Sequence, residues 1–240
     1  TFTAQSGSTI AAHALTATTI GSSAGVTITG TTPTLTIGDA GAEDAKIVFD
    51  GNAQDFHIGL DDTADEVVIG LGSALGTTTH MAFDAAGIIR KPLQSSFRAY
   101  ASGSTTFTDA TYIKVAMTSE TYDTNADYTT GTSRFTAPVD GRYLFCVNLM
   151  GMDGWGTTDG ALVIMALYVN NSANTIIHRM KLDGNEDFGD IYDTYGITGS
   201  AIIKLDASDY VEVFVSQNSG AGATMNYGAG YADFQGELLG

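Results

Sequence analysis

Several stretches carry residue types that could do chemistry, and their spacing tests each one. Gly21-Ser22-Ser23-Ala24-Gly25 has the G-x-S-x-G pattern of a hydrolase nucleophile elbow. That elbow needs a strand, a strained turn and a helix to raise the serine oxygen. Here the pattern lies in an uncharged Thr/Ser/Gly stretch, so it reads as chance. His13, His57, His80 and His178 are scattered, without the H-x-x-x-H or H-E-x-x-H spacing that puts two imidazoles on one metal. Cys146 is the single cysteine, which excludes an intrachain disulfide and a CxxC knuckle. It follows Phe145 in an apolar run and is expected to be a buried, inert thiol.

Two acidic clusters offer oxygen ligands of the kind calcium takes. They are Asp61, Asp62, Asp65 and Glu66, and Asp183, Asn185, Glu186 and Asp187. The second begins like an EF-hand loop, but Phe188 and Thr194 stand where the turn glycine and final glutamate belong. Solvated loops are the expected reading, and no cofactor is assigned. Asn170-Asn171-Ser172 is a glycosylation sequon, informative only in a eukaryotic secretory pathway. The stretch Met152 to Gly160 is a different case. Trp155, the only tryptophan, sits between Asp153 and Asp159 in a glycine-rich loop. An exposed indole beside carboxylates suits stacking on a sugar or docking a partner. Trp155, Asp153 and Asp159 are the candidate contact residues; the competing expectation folds Trp155 back over the end of the domain.

The elements that must hold such a loop read as strands throughout. Residues 1–38 contain no Asp, Glu, Lys or Arg. Alternating pieces such as Val26-Thr-Ile28-Thr and Leu35-Thr-Ile37 predict a β arm that needs a partner strand. Residues 39–92 repeat a short apolar strand and an Asp/Gly/Ala turn about every ten residues, predicting a meander, prism or solenoid of short strands. Identical chains packed about an axis would supply its missing apolar partner. Arg90-Lys91-Pro92 marks a boundary, and residues 93–240 hold longer strands and more aromatic residues, as in a two-sheet sandwich or jelly roll. Two of these strands are apolar on both faces. Tyr143, Phe145, Val147 and Leu149 form one face of 143–150, with Leu144, Cys146 and Met150 on the other, interrupted by Asn148; 161–169 reads ALVIMALYV. A sandwich covers only one face of each strand. The second faces therefore predict an oligomer.

Composition limits the partners. Net charge is −17 with 10 Lys and Arg, so the clustered cations that grip a nucleic-acid backbone are missing. No apolar run is long enough for a membrane-spanning helix. The chain starts at Thr1 without a signal-peptide pattern; a leader removed or a start within a longer product both fit.

The stretch Gly131-Thr-Ser-Arg-Phe135-Thr-Ala-Pro138-Val-Asp-Gly141-Arg-Tyr143-Leu-Phe145 reads as a short strand from Thr132 to Thr136, a turn, and a second strand from Arg142. Pro138 belongs at a strand end, and Asp140-Gly141 is a turn pair in which Gly would take positive φ and Asp would bond its own backbone. With the closing strands Asp209-Tyr-Val-Glu-Val-Phe and Tyr231-Ala-Asp-Phe234-Gln-Gly236-Glu, this stretch resembles the globular heads of complement subcomponent 1q, of the tumour-necrosis-factor-like superfamily. The resemblance covers about residues 95–240. It implies a jelly roll that assembles as a homotrimer, with Phe135, Pro138, Gly141, Tyr143, Phe145, Phe234 and Gly236 as structural core positions. No collagen-like stalk precedes the head. Residues 37–72 instead resemble segments of marine-bacteriophage tail-fibre and virion proteins. Together the resemblances imply a non-catalytic trimeric fibre or adhesin on a virion surface, outside the cell. Its partners would be other virion proteins, further copies of itself, and a host surface glycan or protein. A capsid-decorating trimer and a filament joined through the N-terminal arm are the alternatives.

Overall fold

In the computed structural model, which describes residues 27–153, 161–181, 195–225 and 231–240, every strand ladder is antiparallel. The N-terminal strands are β1 (Ala45–Phe49), β2 (Phe56–Asp61), β3 (Glu66–Leu71), β4 (Thr79–Asp84) and β5 (Ile89–Arg90), and they form one five-stranded meander in chain order. Then come β6 (Ser96–Tyr100), β7 (Thr105–Phe107), β8 (Ile113–Lys114), β9 (Ser119–Asp123), β10 (Tyr128–Thr129), β11 (Arg134–Thr136) and β12 (Gly141–Asp153). The rest are β13 (Leu162–Val169), β14 (Ser172–Lys181), β15 (Tyr195–Leu205), β16 (Tyr210–Gln217), β17 (Ala223–Met225) and β18 (Ala232–Leu238).

These later strands make a jelly-roll-like sandwich. One sheet runs β10-β11-β16-β13-β14, with β8 also on β16. The other runs β7-β17-β12-β18-β6-β9, with β15 also on β12. Between them lies an aromatic core. The Phe97 ring stacks on Phe135 at 4.9 Å and on Tyr128 at 5.0 Å, and meets Phe234 edge-on at 5.0 Å. Such offset and T-shaped pairs put the positive ring edge or an offset face against a neighbour's π-cloud. Tyr143, Phe145, Val147 and Leu149 all point into this core.

The Phe-Thr-Ala-Pro segment joins the two sheets. β11 pairs with β16 in one sheet, while β12 pairs with β15 and β18 in the other. The segment is thus a corner and not a hairpin, and three details differ from the sequence expectation. Thr132 and Ser133 are turn, with Ser133 at φ 51°, so the strand is only Arg134–Thr136. Gly141 does not use positive φ; a Cβ there would stand 2.6 Å from Leu238 Cδ1, so the space is what needs a glycine. Asp140 Oδ1 accepts from Ala207 N at 2.7 Å instead of bonding its own turn. Across the same corner the Tyr143 hydroxyl donates to Val139 O at 2.8 Å, and Ala137 N donates to Asp209 O at 2.7 Å. Pro138 is exposed at the bend, outside the packed core.

Between β13 and β14 the turn is Asn170-Asn171, at φ 50° and 62°. Positive φ at both central residues is the primed turn whose twist matches its strands, and asparagine tolerates it. In contrast, residues 27–44 form no strand, and Ile28, Leu35 and Ile37 are exposed. The expected β alternation there has no ladder partner among the described residues, and a strand without a partner leaves its backbone to water.

The meander's two faces differ sharply. On one, His57 is fully buried, and its Nδ1 donates to Gly72 O at 2.8 Å. A Cβ at Gly70 would stand 2.5 Å from Thr78 O and 2.6 Å from His57 Nε2, so only glycine lets the 72–78 segment close here. The opposite face is apolar row by row. Ile47, Ile58, Ile69 and Met81 run across four strands in register. Phe49, Phe56 and Leu71 form the row on one side of them. Leu60, Val67, Phe83 and Ile89 form the row on the other.

Candidate functional site

The outward face of the seven-stranded sheet carries two adjoining shallow depressions. β12 puts Leu144 between Ile202 on β15 and Glu237 on β18, and Cys146 between Ser200 and Gln235. Farther out, Arg98 on β6 lies between Gln235 and Tyr122 on β9. The period of two that sends Tyr143 and Phe145 inward sends these residues outward. Of these, Tyr122, Leu144, Cys146, Gln235 and Glu237 line a shallow depression of about 200 Å³. A second depression of about 290 Å³ adjoins it at Cys146, Asn148, Thr198, Ser200 and Asp233. Ile202, 62% exposed, projects from the same face.

Cys146 therefore lines a surface and is half-buried, a correction to the expected interior thiol. Burial pushes its thiol pKa up, and the carboxylates of Glu237 and Asp233 push the same way. A thiol held protonated is a poor nucleophile and metal ligand. The chemistry this face offers is apolar contact with a polar rim, including an Arg98–Asp233 pair at 3.6 Å.

The opposite sheet holds a charged cluster that the sequence reading missed. Glu212 on β16 points away from the core, yet is only 2% exposed. Its Oε1 accepts from Arg134 Nε and Nη2 at 3.2 and 3.1 Å and from Lys114 Nζ at 3.2 Å. The Arg134 guanidinium also lies 3.6 Å from the centre of the Tyr210 ring. Two cations and an aromatic face offset the desolvation of one carboxylate. Beside it Tyr168 stacks on Phe214 at 4.0 Å, and Tyr112 tilts against Tyr168 at 5.7 Å. The chain itself thus covers part of the second face of β13, where Ala166 is 1% exposed. The premise that a neighbouring subunit must cover all of that face is corrected accordingly. A lone glutamate inside Tyr210-Val-Glu-Val-Phe was the available signal for the cluster.

Trp155 and Asp159 lie outside the described residues, as do His13, the Gly21–Gly25 pattern and the 183–187 acidic cluster. Asp153 ends β12, opposite Thr224 on β17. The structural positions are placed as follows. Phe135, Tyr143, Phe145 and Phe234 are buried in one aromatic cluster, and Gly236 lies against Phe145 and Phe97. Asp61 caps its own turn by accepting from Ala64 N at 3.1 Å, and Glu66 pairs with Arg90. Among the described residues, no three His, Cys, Asp or Glu side chains gather as a metal site. His178 Nδ1 donates to Thr198 O at 2.8 Å, which joins β14 to β15. Asn170 of the sequon donates Nδ2 to Asp209 Oδ1 at 2.6 Å.

The chain matches no protein-family model. It is 25% identical over 114 residues to the uncharacterized protein YqcC of Bacillus subtilis (strain 168), a match covering 48% of this chain and 30% of that protein. Among solved structures it is distantly similar to the globular domain of zebrafish complement 1qA protein, with 15% identity, a TM-score of 0.41, and coverage of 61% of this chain and 98% of that one. It is also similar to the Eiger TNF structure from S. frugiperda, with 12% identity, a TM-score of 0.42, and coverage of 62% and 92%.

Proposed function

We propose that this chain is a non-catalytic structural and adhesion protein of a bacteriophage virion surface, working as a homotrimeric fibre. In this reading residues 39–92 are the shaft or attachment region, and 93–240 the distal head. The observation that carries the proposal is the division of labour in the head. Its motif aromatics are spent on the interior, while Tyr122, Leu144, Met150 and Ile202 remain at least partly uncovered on the outward face of the seven-stranded sheet. Apolar side chains around a shallow depression suit burial against another chain better than they suit catalysis. Three heads would then present three copies of the Asp153–Trp155–Asp159 loop to a host glycan or protein, and weak single contacts would gain by avidity.

Sedimentation of the full chain in dilute solution tests the assembly, and negative-stain images of native particles test its setting. Three chains per particle and heads at fibre tips are expected. A folded monomer overturns the trimer, and heads lying flat on a capsid overturn the fibre in favour of capsid decoration. A second reading, a filament, draws on the uncharged N-terminal arm, residues 1–38. Their exposed Ile28, Leu35 and Ile37 suit strand addition to a neighbour's sheet edge.

A further inference from the structure

The apolar face of the five-stranded meander is unlike any other surface described. All eleven side chains of its three rows are apolar, in a protein of net charge −17. The Glu66–Arg90 pair and His57 lie on the opposite face, and the one polar ring beside the apolar rows is His80, edge-on to Phe56 at 6.2 Å at the margin of the face. Eight side chains of the apolar face, including Phe49, Phe56, Ile58 and Ile89, are exposed. They leave on the order of 700 Å² of apolar surface uncovered, close to the ~800 Å² that each partner buries in a stable interface. A soluble protein rarely leaves such a patch to water.

We propose that this face packs against the same face of other copies of the chain, forming an inter-chain apolar core at the meander. The proposal rests on the reading of the protein as an assembly of copies, and it names the surface where the N-terminal halves join. A symmetric assembly brings identical patches together, and an all-apolar patch is complementary to itself without any charge having to be matched. The chain's uncharged residues 1–26 are the competing occupant. They supply Phe2, Ile10, Leu15, Ile20 and Val26 as bulky apolar side chains, too few to cover three rows spread over the meander. The five short strands have only one sheet to themselves, and pairing faces gives them the second layer that a β domain needs.

Cross-linking the full chain tests this. In a Cys146→Ser background, Ile58→Cys places the only thiol at the centre of the face, and Lys46→Cys places it on the opposite face as a control. Under mild oxidation in dilute solution, the Ile58→Cys chain is expected to form inter-chain disulfides at least about tenfold faster than the control, because assembly raises the local thiol concentration. Ile47→Cys repeats the test should the first substitution loosen the strand. Mass is measured in parallel. An assembly of unchanged mass without cross-linking at either position overturns the meander interface and leaves the proposed function standing. A folded monomer overturns both. A disulfide within one chain, between Ile58→Cys and Ile20→Cys, assigns the face to the chain's own N-terminal segment and likewise overturns the proposal.

Discussion

Gly236 on β18 lies directly opposite Phe145 on β12, and a Cβ at Gly236 would stand 2.7 Å from the ring's Cδ1. The same Cβ would meet Phe97 Cε1 at 2.9 Å. Two aromatic rings therefore occupy the space a side chain would need. Gly236→Ala should destabilise the head by about 1–3 kcal/mol through overpacking. Chemical denaturation followed by near-ultraviolet dichroism measures this, and an unchanged midpoint would show that the rings can move aside without cost.

Phe135 and Pro138 belong to one motif but do different work. Phe135 stacks between both sheets, whereas Pro138 is exposed at the corner. Phe135→Ala should cost about 3–5 kcal/mol, and Pro138→Ala under about 1 kcal/mol, acting mainly through the freedom of the unfolded chain. Thermal unfolding of the two variants side by side checks the ranking; equal losses would contradict the corner assignment.

Glu212 holds Arg134 and Lys114 together. Removing it in Glu212→Ala leaves two cations without their shared acceptor. Both cations are about one-third exposed and can turn toward water, so the expected loss is about 1–3 kcal/mol, below that of a fully buried pair. Glu212→Gln, which keeps the shape and loses the charge, should fall between the wild type and Glu212→Ala. A Gln variant as stable as the wild type would reduce the cluster to packing.

Asp209 accepts a hydrogen bond from the Asn170 side chain and another from the backbone N–H of Asp206, and these hold its carboxyl below the ordinary value near 3.8. A depressed folded pKa contributes stability that is present above about pH 3.8 and is lost as pH falls through the folded value. Asp209→Asn should therefore flatten the acid limb of the stability curve below about pH 4 and leave its slope near neutrality unchanged. Urea midpoints measured from pH 2 to 7 test the sign; an acid limb identical to the wild type would remove Asp209 from the account.

Trp155 is proposed as a contact residue. Trp155→Ala should reduce binding to an array of bacterial surface glycans while melting temperature and assembled mass stay near wild-type values. Lost stability with binding intact would make Trp155 a packing residue and favour capsid decoration or filament assembly over adhesion.

The inward face of β12 was legible in the sequence because a strand's side chains alternate with period two, and Tyr143, Phe145, Val147 and Leu149 keep that period. The corner after Phe135 was not. Asp140-Gly141 carries the signature of a turn whether its flanking strands pair with each other or with different sheets, and only the pairing of Phe135 with Val211 and of Phe145 with Gly236 decides between these. The candidate surfaces follow the same rule. Ile47, Ile58 and Val67 were readable as strand residues, but an uncovered apolar face exists only once β1 to β4 align in register. Glu212 gains its partners from β8 and β11, which sequence places far from β16. Local periodicity sets which way a side chain points along its own strand; what it points at depends on strand pairings between residues distant in the chain, and those arise only when the tertiary structure forms.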